Sequence, residues 1–186
     1  VEHMGSDLTV VNSARVSFGV EKTDLDDRDR KLINYLISHR HTSTLEHNLI
    51  TFKFCVPLFV RSQHHRHRTW SYNEISRRYT DKDIQFYIPE KFRPQHPTNR
   101  QASRDDYVIN PVIYDEGTRH RLHRYYFEGK DTTEIMKIHA ESSLCVFEDM
   151  LSRGVCREQA RMILPQSMYT EYYGTVNLNN LLKFID

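Results

Sequence analysis

The spacing of hydrophobic positions changes several times along the chain. From Thr23 to His39, Leu32, Ile33, Leu36 and Ile37 recur at helical spacing behind Asp24 and further acids, which predicts an amphipathic helix capped by Asp24. The period then drops to two. Ile50, Phe52, Phe54 and Val56 alternate with Thr51, Lys53 and Cys55, the pattern of a strand with one buried face. Pro57 suits the first turn of a helix that carries Leu58, Phe59 and Val60 into the polar run Gln63 to Arg68. Residues 94 to 131 are rich in Pro, Arg, Asn, Asp and His and keep no period, apart from a short strand expected over Val108 to Tyr114. An insertion or long surface loop is expected at about 95–133, a length usually tied to function or mobility. Beyond it, Thr132 or Thr133 opens a long helix with Met136, Ala140, Leu144, Phe147 and Leu151 on one face, closed by Gly154. A second helix, Arg157 to Leu164, stops at Pro165. Alternation returns over Met168 to Val176, and Asn177 caps a last helix with Leu178, Leu181, Leu182 and Ile185. Helices and strands mix without a repeating βαβ rhythm, so the expected class is α+β with an antiparallel-type sheet in one domain spanning 1–186.

Composition sharpens this picture. The chain of 186 residues suits one domain, yet its 38% hydrophobic share includes eleven Tyr, below the roughly 45–50% apolar share of typical globular chains. Part of the burial is therefore expected from partner subunits or a large ligand. A net charge of +1 excludes a histone-like or tail-like nucleic-acid binder. No apolar run approaches the ~18–20 residues that cross a bilayer, and Val1 to Gly5 carries no signal-peptide pattern. Cys55, Cys145 and Cys156 are an odd number without metal-type spacing, which fits a reducing compartment, so the expected location is cytoplasmic. The chain begins without Met and stops at Asp186 inside an apolar pattern, so residues are expected to be missing at both ends.

Six of eleven His lie between His39 and His67, interleaved with Arg40, Arg61, Arg66 and Arg68. A solvated basic face, a metal site and an anion site all use such residues. No HExxH or CxxC partner is present, and the adjacent Arg would repel a cation, so an anionic ligand fits better. The run Arg66 to Tyr79 packs four Arg, two Ser, one His, one Asn and one Glu around three aromatics. Arg forks and Ser hydroxyls suit phosphate oxygens. If the backbone is extended, Glu74, Ser76 and Arg78 point into one site while Ile75 and Arg77 point away. Glu accepts hydrogen bonds from a ribose hydroxyl or orients Arg, which makes a nucleotide the economical ligand. An RNA-binding strip of Arg and aromatics has the same composition.

Arg66-His67-Arg68, seven residues and then Ser76 is the signature of flavin-dependent thymidylate synthases, and the chain resembles that family over nearly all its length except roughly 95 to 133. Further matches occur in order: Ala14-Arg15-Val16-Ser17, His41 with Ser43, Glu46 and His47, Gln63, Ser71-Tyr72-Asn73-Glu74, Arg78-Tyr79, Phe86-Tyr87-Ile88-Pro89, Ala160-Arg161 to Leu164-Pro165, and Thr175-Val176-Asn177. The resemblance implies an α+β subunit of a homotetramer with active sites shared between subunits. It implies conversion of dUMP to dTMP, with methylenetetrahydrofolate as carbon donor and NADPH as reductant acting through FAD. By the same resemblance, Ser17, Ser43, Glu46, Arg66, His67, Arg68, Thr69, Asn177 and Lys183 are FAD contacts. Gln63, Glu74, Ser76, Arg77, Arg78 and Arg161 are dUMP contacts, and His41 and Arg161 are catalytic. No metal, nucleic acid or membrane partner is implied. The chain departs from the family in two ways. It stops before an Arg and a His that normally complete the uracil and flavin sites, and Arg77 and Asn179 stand where a small and a basic residue are common.

Other thymidylate synthases use a Cys thiolate on uracil C6. Only Cys156, beside Arg157 and ahead of a helix, has an electropositive setting here. In the family reading no Cys nucleophile is needed, because flavin participates in carbon transfer. Ser76 has no base assigned by spacing and is read as a binding group. Two rivals remain at this level: an RNA-binding module over residues 61 to 79, and a metal-dependent hydrolase on His39, His41, His47, His64, His65 and His67.

Overall fold

Four strands carry the candidate residues: β1 (Glu2–Met4), β2 (Leu49–Pro57), β3 (Ser71–Glu74) and β4 (Tyr169–Asn177), in the spatial order β1-β2-β4-β3. The computed structural model describes residues 1–112 and 127–186. Antiparallel registers set Glu2 opposite Thr51 and Glu74 opposite Tyr172. The described chain forms two compact units, one of Val1–Ile75 with Thr170–Asp186 and one of Ser76–Tyr169. The α+β expectation holds, with antiparallel pairing.

In the first unit, helices α1 (Asp7–Arg15) and α2 (Asp27–Ser38) pack through Val10, Leu36 and Leu45, with Ala14, Leu32, Ile33 and Leu178 around them. Helix α1 has no counterpart among the sequence expectations, because Asp7–Arg15 interleaves polar and apolar residues too evenly to show a stripe. Helix α2 starts three residues beyond Asp24. Asp26 is the cap, accepting the Arg28 and Asp29 amides, which places Asp24 outside the helix. Asp29 is 0% exposed and binds two cations, Arg15 at 2.7 Å and Lys22. Asn12 completes this joint by donating to the Lys22 carbonyl and accepting its amide, both at 2.9 Å. The loop carrying Ser17 is thereby closed on both helices. The C-terminus of α2 turns through Arg40 in a left-handed conformation, φ 57°, while the Arg40 and His41 amides bond back to the Ile37 and Leu36 carbonyls. Glycine usually fills that position, so the turn holds Arg40 in a backbone geometry few side chains adopt and sets His41 directly after it.

An aromatic layer covers β2 and β4. Phe52, Phe54, Trp70 and Tyr172 contact one another with ring centroids 5.0–6.1 Å apart. Gly174 makes room for it, since a Cβ there would lie 2.9 Å from Phe54 and 3.2 Å from Trp70. Pro57 ends β2 and serves as the cap of α3 (Leu58–His64) rather than its first helical residue.

In the second unit, Asp131 caps the long helix α4 (Thr132–Ser152), whose Ile135, Ala140 and Phe147 are buried. The expected helix from Arg157 to Leu164 is instead a short α5 (Arg157–Ala160) followed by a 3₁₀ turn over Arg161–Ile163. Phe92 and Ile109 exchange both backbone hydrogen bonds at 2.8 Å, and Gln95 pairs with Ser103, so the described start of the 95–133 segment is a pinned excursion. Only isolated bridges at Ile109 and Val112 represent the strand expected over Val108 to Tyr114. Ile113, Tyr114 and the rest of that segment through residue 126 lie outside the described residues. The chain closes with α6 (Leu178–Ile185), capped as expected by Asn177, whose Oδ1 accepts the Asn180 amide at 2.9 Å.

Candidate active site

The Arg66-His67-Arg68 signature sits on a tight turn leaving α3. The Arg66 and His67 amides bond to the Gln63 and His64 carbonyls at 3.0 Å each, and Arg66, His67, Arg68 and Thr69 are all exposed. The flanking His64 and Trp70 do not share that exposure. His64 is buried against Phe54, Trp70 and Phe184, with Nδ1 2.6 Å from the Tyr172 hydroxyl. Burial, reinforced by His65 and His67, holds the His64 imidazole below its ordinary pKa, and burial likewise pushes the Tyr172 phenol up to about 12. The pair is therefore neutral at physiological pH, and the positive charge of the segment resides on the exposed turn.

Glu74 closes β3 with its carboxylate fixed from two sides. Oε1 accepts from Arg61 Nε at 3.1 Å and from the Thr170 hydroxyl at 2.7 Å. Neither Arg61 nor Thr170 figures among the sequence-derived site residues. The signal for Thr170 was present in the strand alternation, which sets it on the buried face with Tyr172, Gly174 and Val176, where a hydroxyl requires a partner. Gln63 lies exposed at the end of α3.

Beyond Glu74 the extended register ends, which corrects the alternation expected through Arg78. The Ser76 carbonyl accepts the Tyr79 and Thr80 amides, and the Ser76 hydroxyl accepts the Arg78 amide at 3.2 Å, so a turn replaces the strand. Arg78 remains exposed. Arg77 is only 8% exposed and donates Nη1 to the Lys82 carbonyl at 2.6 Å, so its guanidinium braces this loop from inside. In the same unit Arg157 Nη2 binds Asp81 at 2.9 Å, tying the loop to α5, directly ahead of the exposed Arg161.

The residues expected to hold FAD all lie in the first unit, and α6 touches both halves of the set. On one side Phe184 meets the His67 ring edge-on at 4.7 Å. On the other, Asn179, 4% exposed, donates to Glu46 Oε1 at 2.9 Å. Asn179 thus acts as a buried strut for Glu46. Lys183 and Asn179 line a cavity of about 700 Å³ together with Arg40, Thr42 and Leu45. Ser43 and Glu46 stand exposed on the 3₁₀ segment Thr42–His47, Ser17 is exposed after α1, and the exposed His41 stacks its ring 6.2 Å from Tyr35. Asn177 lies half-buried at the helix cap. This donor set, cations and hydroxyls beside an apolar helix face, suits an anionic cofactor with a planar aromatic part.

Among the described residues no three His, Cys, Asp or Glu side chains group as a metal cage. Cys55, Cys145 and Cys156 are each exposed and unpaired. No helix of the described residues is long and apolar enough to cross a membrane.

A family profile described as "Thymidylate synthase complementing protein" matches residues 1–186. The chain belongs to the flavin-dependent thymidylate synthase family. It is 38% identical over 186 residues to a flavin-dependent thymidylate synthase of Kosmotoga olearia and 39% identical over 187 residues to one of Thermus thermophilus. All of this chain aligns in both cases, spanning 73% of the Kosmotoga protein and 61% of the Thermus protein. Among solved structures it is similar to the UMP/dUMP methylase PolB of Streptomyces cacaoi bound to 5-Br dUMP. That match has 33% identity and a TM-score of 0.74, covering all of this chain and 74% of that one. Asn179 and Arg77, where the resemblance to the flavin-dependent thymidylate synthase family leads one to expect a basic and a small residue, are both buried.

Proposed function

We propose that the protein methylates dUMP to dTMP, drawing the carbon from methylenetetrahydrofolate and two electrons from NADPH through FAD, as a cytoplasmic homotetramer with shared sites. The observation that carries this reading is the whole-chain family match, joined to an exposed Arg66-His67-Arg68 turn and a carboxylate held in place at Glu74. A transferred methylene needs a two-electron reduction to become a methyl group, and that is the chemistry bound FAD supplies. The chain's own groups hold and orient. Ser17, Ser43, Glu46, Arg66, His67, Arg68, Thr69, Asn177 and Lys183 bind the cofactor, with His41 near flavin and folate. Gln63, Glu74, Ser76, Arg78 and Arg161 bind dUMP, and Arg161 polarises the uracil. Arg77 serves through the loop it braces. No Cys acts as nucleophile, so replacing Cys55, Cys145 and Cys156 together leaves dTMP formation detectable.

The decisive experiment denatures the purified protein and identifies released flavin, then titrates dUMP into the FAD-loaded protein by absorbance and assays dTMP. Released or reconstituted FAD, a spectral change with dUMP and dTMP formation are expected. Failure to retain or take up FAD would remove the assignment. The likeness to PolB makes UMP the natural comparison nucleotide in the same assay.

A further inference from the structure

We propose that Tyr72 is a positioning residue that holds the Arg66-His67-Arg68 turn closed, with its side chains outward, for its ligand. The inference rests on the reading of that turn as the FAD site. From β3, the Tyr72 hydroxyl reaches two carbonyls of the turn, His64 at 2.9 Å and His67 at 3.1 Å, and so brackets Arg66 from both sides. Its ring lies against His65 with centroids 4.1 Å apart and planes tilted by 36°, and meets His64 edge-on at 5.3 Å. Burial raises the Tyr72 phenol above its ordinary value, so the hydroxyl keeps its proton and remains a donor.

The turn needs such a clamp for an electrostatic reason. Arg66 and Arg68 flank His67 on this exposed turn and carry like charge, and no acid is paired with them among the described ion pairs. Two amide bonds, from Arg66 and His67, are the turn's own closure. Like-charge repulsion favours opening it, while an anion favours the closed form with all three side chains outward. A clamp fixed on the sheet sets the closed form before the anion arrives and lowers the ordering cost of binding. Tyr72 is paired directly with Gly174 of β4, which anchors it to the sheet behind the turn.

The test compares the unaltered protein with Tyr72→Phe and Tyr72→4-aminophenylalanine, the second of which restores a donor on the same ring. FAD affinity of the flavin-free protein, dUMP affinity and amide hydrogen exchange at Arg66 and His67 are measured on each. Tyr72→Phe is expected to raise the Kd for FAD roughly three- to tenfold, the range of one neutral hydrogen bond. Exchange at Arg66 and His67 is expected to quicken, dUMP affinity to stay within twofold, and the amino variant to recover most of the loss. A purely structural role would lower Tm and leave the FAD Kd of the folded protein unchanged. Unchanged FAD affinity together with unchanged exchange would overturn the proposal, as would failure of the amino variant to recover either. If Tyr72→Phe does not fold, the amino variant against the unaltered protein carries the comparison, because a weaker donor should give a smaller shift of the same sign. If the unaltered protein binds no FAD, the functional reading fails instead, while the exchange measurement still decides the clamp.

Discussion

At the scale of single residues, the site is held by side chains that do not belong to its motifs. Glu74 is legible as a chemical group from the sequence, but the groups that aim it, Arg61 and Thr170, come from 13 residues before and 96 residues after it. Thr170→Val keeps the shape and removes one donor. Its loss should weaken dUMP binding about two- to tenfold with flavin content unchanged, measured by absorbance titration of the FAD-loaded variant. Equal dUMP affinity in the two proteins would show that Arg61 alone orients the carboxylate. Asn179 teaches the complementary lesson. Its position against a family pattern reads as a missing cofactor contact, whereas folding buries it and gives it to Glu46. A residue's type is visible in the sequence. Its partner depends on which helix face meets which loop.

Elements were legible where their period was long and uninterrupted. The strand at Leu49–Pro57, the helix at Thr132–Ser152 and the cap at Asn177 follow from alternation, an apolar stripe and capping chemistry. The signature run was legible as extended only through Glu74, because Ser76 offers both its carbonyl and its hydroxyl to following amides and a turn outcompetes the strand. The joint between α1 and α2 was invisible, since it depends on one buried carboxylate shared by Arg15 and Lys22. The Lys22 ammonium, more than any other group, holds the Asp29 carboxyl well below the usual carboxylate range. Because the folded-state pKa lies below the unfolded value of about 3.9, this stabilisation is complete above that pH and is lost as the pH falls from there toward the native value. Asp29→Asn should therefore lower the urea midpoint at pH 7 and flatten its decline below pH 4. An equal difference between variant and parent at pH 7 and pH 2.5 would contradict that account.

At the scale of the whole molecule, large apolar side chains remain at the surface, Phe18 at 83% and Met162 at 76% exposed among them, and most of the expected FAD contacts are exposed as well. Both facts follow if neighbouring subunits cover them, as the low apolar share of the sequence had suggested. Sedimentation at micromolar concentration should give a four-subunit mass, and a monomer that makes dTMP would refute shared sites. The flavin itself could be inferred only from family resemblance, because no spacing of Arg and His distinguishes one phosphorylated cofactor from another. The aromatic layer gives this question an optical handle. The chain has one tryptophan, and Trp70 lies buried between Phe52, Phe54 and Phe184, next in sequence to Thr69 of the signature region. All indole fluorescence of this chain thus originates from one point beside the Arg66-His67-Arg68 turn. A flavin docking there would accept that excitation and dim it, so cofactor arrival can be timed in rapid-mixing experiments without a label, a substrate or a turnover.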